Sequence, residues 1–208
     1  MNAKIRLMIA LSILAVFFFA RTSLAAECLS PSYTVLQGKN YLDDVSPREL
    51  TAWEYESLKQ LFQWMDGDWV GEGRTMKCTG PEDRIQKETE ICSVSSRAKY
   101  RSHGQFTLEN HIRNQEGRTT TDQTYDFYLN ERRLATSDVS VSDLEIVGIS
   151  ATEVTIVKKA RIRGADLYTG HEWVVGLRKV TDTSMEIENV FSVNGRLTST
   201  SILRLERQ

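Results

Sequence analysis

The sequence has little of what most metal and catalytic sites are built from. Its 208 residues hold only three histidines, three cysteines and three prolines. No C-x-x-C pair occurs, and His171-Glu172-Trp173 lacks the second histidine of a zinc-protease helix. No G-x-S-x-G occurs, so there is no nucleophile elbow; Gly148-Ile149-Ser150-Ala151-Thr152 reads as a turn between strands. His103 and His111 read as sharing one strand, where they would stand about 26 Å apart, too far to share a metal. Glu109 and His111 together supply two ligands only. Asp66 and Asp68 are accounted for by helix-stop chemistry. These absences argue against an enzyme and leave no expected cofactor or metal. An excess of one charge is missing too: 26 Lys and Arg against 28 Asp and Glu give a net −2. That balance argues against nucleic acid or an anionic membrane surface as partner. The densest basic stretch, Lys158-Lys159-Ala160-Arg161-Ile162-Arg163, alternates with apolar residues and reads as the wet face of a strand.

Long apolar runs are missing everywhere except at the start. Lys4 and Arg6 precede Leu7–Ala20, a run of 14 residues broken only by Ser12, and Ser23, Ala25 and Ala26 then supply small residues. This is the pattern of a cleavable signal peptide over 1–26. A spanning helix needs about 20 apolar residues, more than this run offers. Glu27 stands before Cys28 where bacterial lipoproteins carry a small residue. The expectation is an exported protein, periplasmic or secreted, with no membrane span once the signal is removed. The segment holds three basic residues and no acid, so its removal takes the net charge from −2 to −5. The cysteines Cys28, Cys78 and Cys92 then meet an oxidising compartment, and one bridge with one thiol left over is expected. The preferred pair is Cys78–Cys92, closing 79–91 for roughly 3 kcal/mol on the chain-entropy account. It requires a wide loop there, because a tight turn at 79–83 would set Cys92 opposite Val70. Cys28 with either partner stays open.

Residues 27–46 show no periodicity and read as an irregular leader. Ser46-Pro47-Arg48-Glu49 is a capping-box pattern, and Leu50, Trp53, Leu58, Leu61, Phe62 and Met65 recur at helical spacing. A capping helix over 47–65 follows. Beyond it, short alternating runs split by turn signals predict strands near 68–78, 85–95, 98–113, 119–130, 143–149, 152–163, 170–180, 184–193 and 196–206. Asn114-Gln115-Glu116-Gly117-Arg118 reads as a hairpin loop. Asn194-Gly195 is the strongest short hairpin signal. The connections are too short for crossover helices, so neighbours are antiparallel. The expected fold is all-β: one antiparallel up-and-down barrel of about 8–10 strands over 67–207, behind one amphipathic helix.

Gln63-Trp64-Met65-Asp66-Gly67-Asp68-Trp69-Val70-Gly71-Glu72-Gly73 resembles the start of a calycin barrel, the superfamily of lipocalins, fatty-acid-binding proteins and nitrobindin-like proteins. Its members open the first strand with G-x-W, here Gly67 and Trp69. The resemblance implies a Trp at the closed end, covered by an Arg of the last strand, here Arg204. Gly71 and Gly73 would let that strand bend. Nitrobindin-like members hold heme through a histidine near the C-terminal strands; the last histidine here is His171, so heme is not expected.

Apolar rows complete the reading. Phe106 and Leu108 share a strand face with Ile112; Tyr125 and Phe127 with Leu129; Trp173 and Val175 with Leu177; Met185 and Ile187 with Phe191 and Val193. By period 2 each row faces inward, as a filled core or a lined cavity. The cavity reading makes ten positions a site, with Phe106, Leu108, Tyr125, Phe127, Trp173, Val175, Met185 and Ile187 as its lining and His171 and Asn189 as its polar groups, and the partner a small apolar or amphipathic molecule carried in the barrel. Two alternatives are a barrel enzyme of cyclase or isomerase type using His171 and Glu172, and a filled barrel that binds partners through its outer face or the 79–91 loop.

Overall fold

A computed structural model describes residues 27–45, 47–115, 120–137, 143–164 and 167–208. The predicted signal peptide and Ser46 lie outside the described residues. The elements are α1 (Tyr33–Leu36), α2 (Ala52–Met65), β1 (Gly67–Thr79), β2 (Gln86–Tyr100), β3 (Gln105–Asn114), β4 (Thr120–Leu129), β5 (Leu134–Thr136), β6 (Asp143–Ile149), β7 (Glu153–Arg163), β8 (Tyr168–Lys179), β9 (Ser184–Val193) and β10 (Arg196–Arg207). All ten strands form one antiparallel sheet, ordered β5-β4-β3-β2-β1-β10-β9-β8-β7-β6. The first strand pairs with the last, so the sheet curls into a nearly closed barrel whose seam lies between β5 and β6. The Asn-Gly signal sits at the β9–β10 turn, with both residues at positive φ, 49° and 77°. No helix among the described residues is long and apolar enough to cross a membrane.

Helix α2 closes one end. It begins at Ala52, later than the spacing from residue 47 suggested. Thr51 is the N-cap: its hydroxyl accepts from the Glu54 N–H at 3.3 Å, and Glu54 reaches back to the Thr51 N–H at 2.8 Å. Glu54 is also held by Arg48 at 2.6 Å. Residues 47–50 stay out of the helix, and the Leu50 N–H donates to the Arg132 carbonyl at 2.7 Å. Leu58, Leu61, Phe62 and Met65 form the buried stripe, while Trp53 stands 58% exposed on the opposite side. The stripe drops into the barrel, where Phe62 stacks on Phe106 with centroids 4.2 Å apart.

Burial alternates along β3 and the second half of β2, and the register carries the same inward and outward sorting through β7 and β10, which are buried on both faces over 156–160 and 200–203. Trp69 is inward and fully buried, its indole N–H bonded to the Met65 carbonyl at 2.8 Å. The cation over its ring is Arg207, 4.3 Å from the centroid, not Arg204. The register explains the correction: Trp69 is level with Arg207, and Arg204 falls on the outward set, where it pairs with Glu186 at 3.0 Å. Gly71 is required by close approach, since a Cβ there would lie 2.0 Å from the Arg204 carbonyl oxygen.

The same parity overturns the expected bridge. Cys78 is outward and level with Lys87, whereas Cys92 is inward and level with Gly73, so the two cannot meet. The disulfide is Cys28–Cys78, and Cys92 is a buried free thiol whose pKa burial pushes up. No wide loop is needed: the 79–91 segment is mostly strand, and a tight 3-10 turn at Glu82–Arg84 joins β1 to β2. The break expected near 96–97 is absent as well. Strand β2 runs on to Tyr100, and the turn lies at 101–104, with Gly104 at φ 87°. His103 is therefore in a turn and does not share the strand of His111.

Residues 27–45, read as an irregular leader, form a strap on the barrel. The bridge anchors them to β1, Pro31 bridges to Arg196, and Ser32 donates to the Gly195 carbonyl at 2.8 Å. Outward residues Met76, Val157, Leu197 and Ile202 are all buried; on this face the Leu29 N–H of the strap donates to the Leu197 carbonyl at 3.1 Å, and the bridged Cys78 sulfur lies 3.6 Å from the Met76 sulfur. Lys159 is also buried there and donates to the Asp43 carbonyl; Glu172 accepts from the Thr34 N–H at 3.1 Å. The basic stretch of β7 is thus not a wet face: Lys159 is covered by the strap, and Lys158 points inward.

Candidate functional site

The barrel interior divides across its length. In the half next to α2, Phe106, Leu108, Phe127, Val175, Met185 and Ile187 are packed in one core with Leu177, Leu203 and Leu205. These six predicted ligand contacts form a filled floor. The other half is open and holds a cup of about 420 Å³, within the range of about 300–1,000 Å³ usual for small-molecule sites. Tyr125, Trp173 and Asn189 line this cup. His171 lies one step nearer the mouth, its ring 5.8 Å from Trp173 and 5.4 Å from Phe191. Of the ten positions, then, four gather at the open end and six seal its base.

The base of the cup is polar. Asn189 donates to the Tyr125 hydroxyl and to the Ser201 hydroxyl at 3.4 Å, and Tyr125 in turn donates to the Gln123 side-chain oxygen at 3.3 Å. Burial raises the Tyr125 pKa, against a smaller lowering by Asn189, so the phenol stays a neutral donor at any ordinary pH. One wall is aromatic: Trp173 and Phe191 stack with centroids 5.1 Å apart. Lys158 is level with Trp173 across the β7–β8 pair, and its ammonium lies 5.8 Å over that ring. Desolvation lowers the His171 pKa and so favours the neutral imidazole. Across from this wall stand Cys92 and Ile112, with Lys77 and Glu90 at the mouth.

Sequence patterning had no means of finding several of these groups. Lys158 belongs to a basic run that reads as the wet face of a strand, although it falls on the face of Ala160 and Ile162 and not on that of Lys159, Arg161 and Arg163. Gln123 and Ser201 carry no apolar signal, and only the strand register places them beside Tyr125 and Asn189. The pair His171 and Glu172, the nearest to an enzyme centre in the sequence, is split by the sheet, with the imidazole inside and the carboxylate outside beneath the strap. Among the described residues, no group of three or more His, Cys, Asp or Glu could hold a metal ion.

No protein family and no curated protein matches this sequence. Solved barrels that resemble the structure include EF1p2_mFAP2b bound to DFHBI, at TM-score 0.38 and 10% identity, covering 72% of this chain and 98% of that one. The redesigned β-barrel mFAP1, also bound to DFHBI, follows at TM-score 0.34 and 12% identity, covering 70% and 98%. The 12:0-ACP thioesterase from Umbellularia californica reaches TM-score 0.21 at 10% identity, covering 74% and 78%. These scores are too low to carry an inference about this chain.

Proposed function

We propose that this chain is an exported, calycin-like barrel protein that binds a small, flat, amphipathic molecule in the open half of its barrel. The observation that carries the reading is the cup itself: a network of Tyr125, Asn189 and Ser201 at the base, beneath the stacked rings of Trp173 and Phe191. A ring sliding along Trp173 gains apolar contact, and a carbonyl or hydroxyl at its leading edge meets donors and acceptors already in place. Lys158 gives the wall a positive charge that favours an anionic or electron-rich ligand. The G-x-W start, with Arg207 over Trp69, supports the calycin reading. Export is supported by the N-terminal pattern and by a bridge that needs an oxidising compartment.

The test is a fluorescence titration against a panel of fatty acids, aromatic acids and tetrapyrroles. A binder in the cup alters Trp173 emission, and the response disappears in Trp173→Phe while the three other tryptophans still report a folded protein. A response that survives Trp173→Phe puts the ligand elsewhere. No response across the panel counts against the carrier reading.

A further inference from the structure

The outer face of the barrel carries a second set of groups, of which the cup shares Asp122 alone. Ser95 on β2, His111 on β3 and Asp122 on β4 are outward residues on three consecutive strands. Ser95 is level with His111, and His111 is level with Asp122, so the three stand in one row across the sheet. The Asp122 carboxylate holds His111 Nδ1 at 2.6 Å. That leaves Nε2 as the free ring nitrogen, with Ser95 as the neighbour on the other side. Directly paired residues have their Cβ atoms about 5 Å apart, which makes Ser95 the immediate neighbour of His111 on β2. Serine, histidine and aspartate in this order, with the histidine between, form the constellation that activates a serine hydroxyl on unrelated folds. Two depressions meet on this row. One of about 550 Å³ is lined by Ser95, His111 and Asp122 with Val70 and Arg97. The other, about 260 Å³, is lined by Ser95 and His111 with Arg113.

We propose that Ser95, His111 and Asp122 form a surface esterase site for short-chain carboxylic esters. The Ser95 oxygen attacks the ester carbonyl while His111 Nε2 takes its proton. The C–O bond to the alcohol breaks, and His111 returns that proton to the leaving alcohol. Water then attacks the acyl-serine with His111 again as base, which releases the acid and restores the hydroxyl. Ser95 and His111 are the catalytic residues; Asp122 is a positioning residue that fixes the imidazole tautomer. Arg113, two residues from His111 on the same face, supplies the cation for the developing oxyanion. The shallow, solvent-open setting restricts the site to small, accessible esters, with Val70 as the apolar surface for a short acyl chain.

The row escaped the sequence reading because a cross-strand triad has no linear motif; its members are separated by 16 and 11 positions and are joined only by register.

The test uses the intact chain with diisopropyl fluorophosphate, a reagent that phosphorylates activated serines with loss of fluoride, and with p-nitrophenyl acetate. The expected result is one adduct per chain, mapped to the Ser95 peptide, together with ester turnover. Ser95→Ala abolishes the adduct and slows turnover at least about tenfold, and His111→Gln does the same. Asp122→Asn lowers both, and Asp122→Glu restores them, a rescue that a merely structural role would not produce. These positions are exposed, and unchanged thermal melting checks the fold of each variant. Absence of an adduct on the unmodified chain overturns the proposal, as does an adduct on another residue. So does a Ser95→Ala variant that hydrolyses the ester at the original rate. Ser95 and His111 do not line the cup, so the adduct and its loss in their variants read this site independently of ligand binding there.

Discussion

Replacing Arg207 by Met tests the floor of the barrel and the strand register together. The guanidinium lies 4.3 Å over the fully buried Trp69 ring and 5.7 Å from the Trp64 ring. It also donates to the Asp66 carbonyl at 2.7 Å and to the Trp64 carbonyl. Those two carbonyls belong to the junction of α2 and β1, so this one side chain fastens the closing helix to the last strand. Loss of the ring contact costs about 1–2 kcal/mol, and each charge-assisted bond to a carbonyl roughly 1.5 kcal/mol. The methionine retains part of the packing, so the expected net loss is about 2–4 kcal/mol. For a domain of this size each kcal/mol lowers Tm by roughly 2–4 °C. Arg207→Met should therefore melt about 5–15 °C below the parent by circular dichroism. Arg204→Met is the internal control: its side chain is 74% exposed and pairs with Glu186 on the barrel surface, so its effect should stay within about 1 kcal/mol. Equal effects of the two substitutions, or a larger one for Arg204, would refute the register and the floor built on it.

Other outcomes follow from the same structure. The bridge spans a sequence separation of 50, so Cys28→Ser with Cys78→Ser should cost up to about 4 kcal/mol in urea unfolding. In the unreduced native protein Cys92 should resist a thiol reagent such as DTNB, and one thiol should appear on unfolding in guanidinium. Arg48, followed by the Thr51 contacts, holds the Glu54 pKa down to about 2. A depressed carboxylate stabilises above its ordinary value, and the gain is lost as pH falls from about 4.5 towards 2. With Arg48 half exposed, that contribution is about 2 kcal/mol, and Glu54→Gln should flatten this limb of the urea midpoint against pH. A Cβ at Gly73 would meet Leu203 at 2.6 Å and the Cys92 sulfur at 2.8 Å, so Gly73→Ala should destabilise by about 1–3 kcal/mol in the same assay.

What was legible in the sequence was what period and punctuation encode. Asn194-Gly195 marks its hairpin because a turn with two positive φ values admits few residue pairs. The apolar stripe of α2 follows from spacing alone, and so does the antiparallel order of strands joined by short turns. Parity and register were not legible. Arg204 and Arg207 look alike as closing cations, and only the pairing of Trp69 with Arg207 decides between them. Cys78 and Cys92 are near in sequence but stand on opposite faces. Ser96-Arg97 looks like a break between strands; in the structure Ser96 faces inward and Arg97 outward, and the strand continues through both. Residues 27–45 carry no periodicity because one bridge, a short helix and backbone bonds hold them in place of a repeating apolar face. The division of the interior was hidden for a similar reason. Leu108 and Tyr125 belong to the same kind of apolar row, yet one is beneath the base of the cup and the other forms it. Depth along the barrel depends on where each strand starts, and α2 fills one end only.

The central claim is that the open half of the barrel is a binding site, and native mass spectrometry of the protein isolated from its own host tests it most directly. The account predicts a bound species of a few hundred daltons, as a cup of about 420 Å³ allows. It also predicts that Asn189→Leu combined with Trp173→Leu releases that species without unfolding the barrel. A chain that carries no extra mass, or one whose bound mass survives both substitutions, would contradict it.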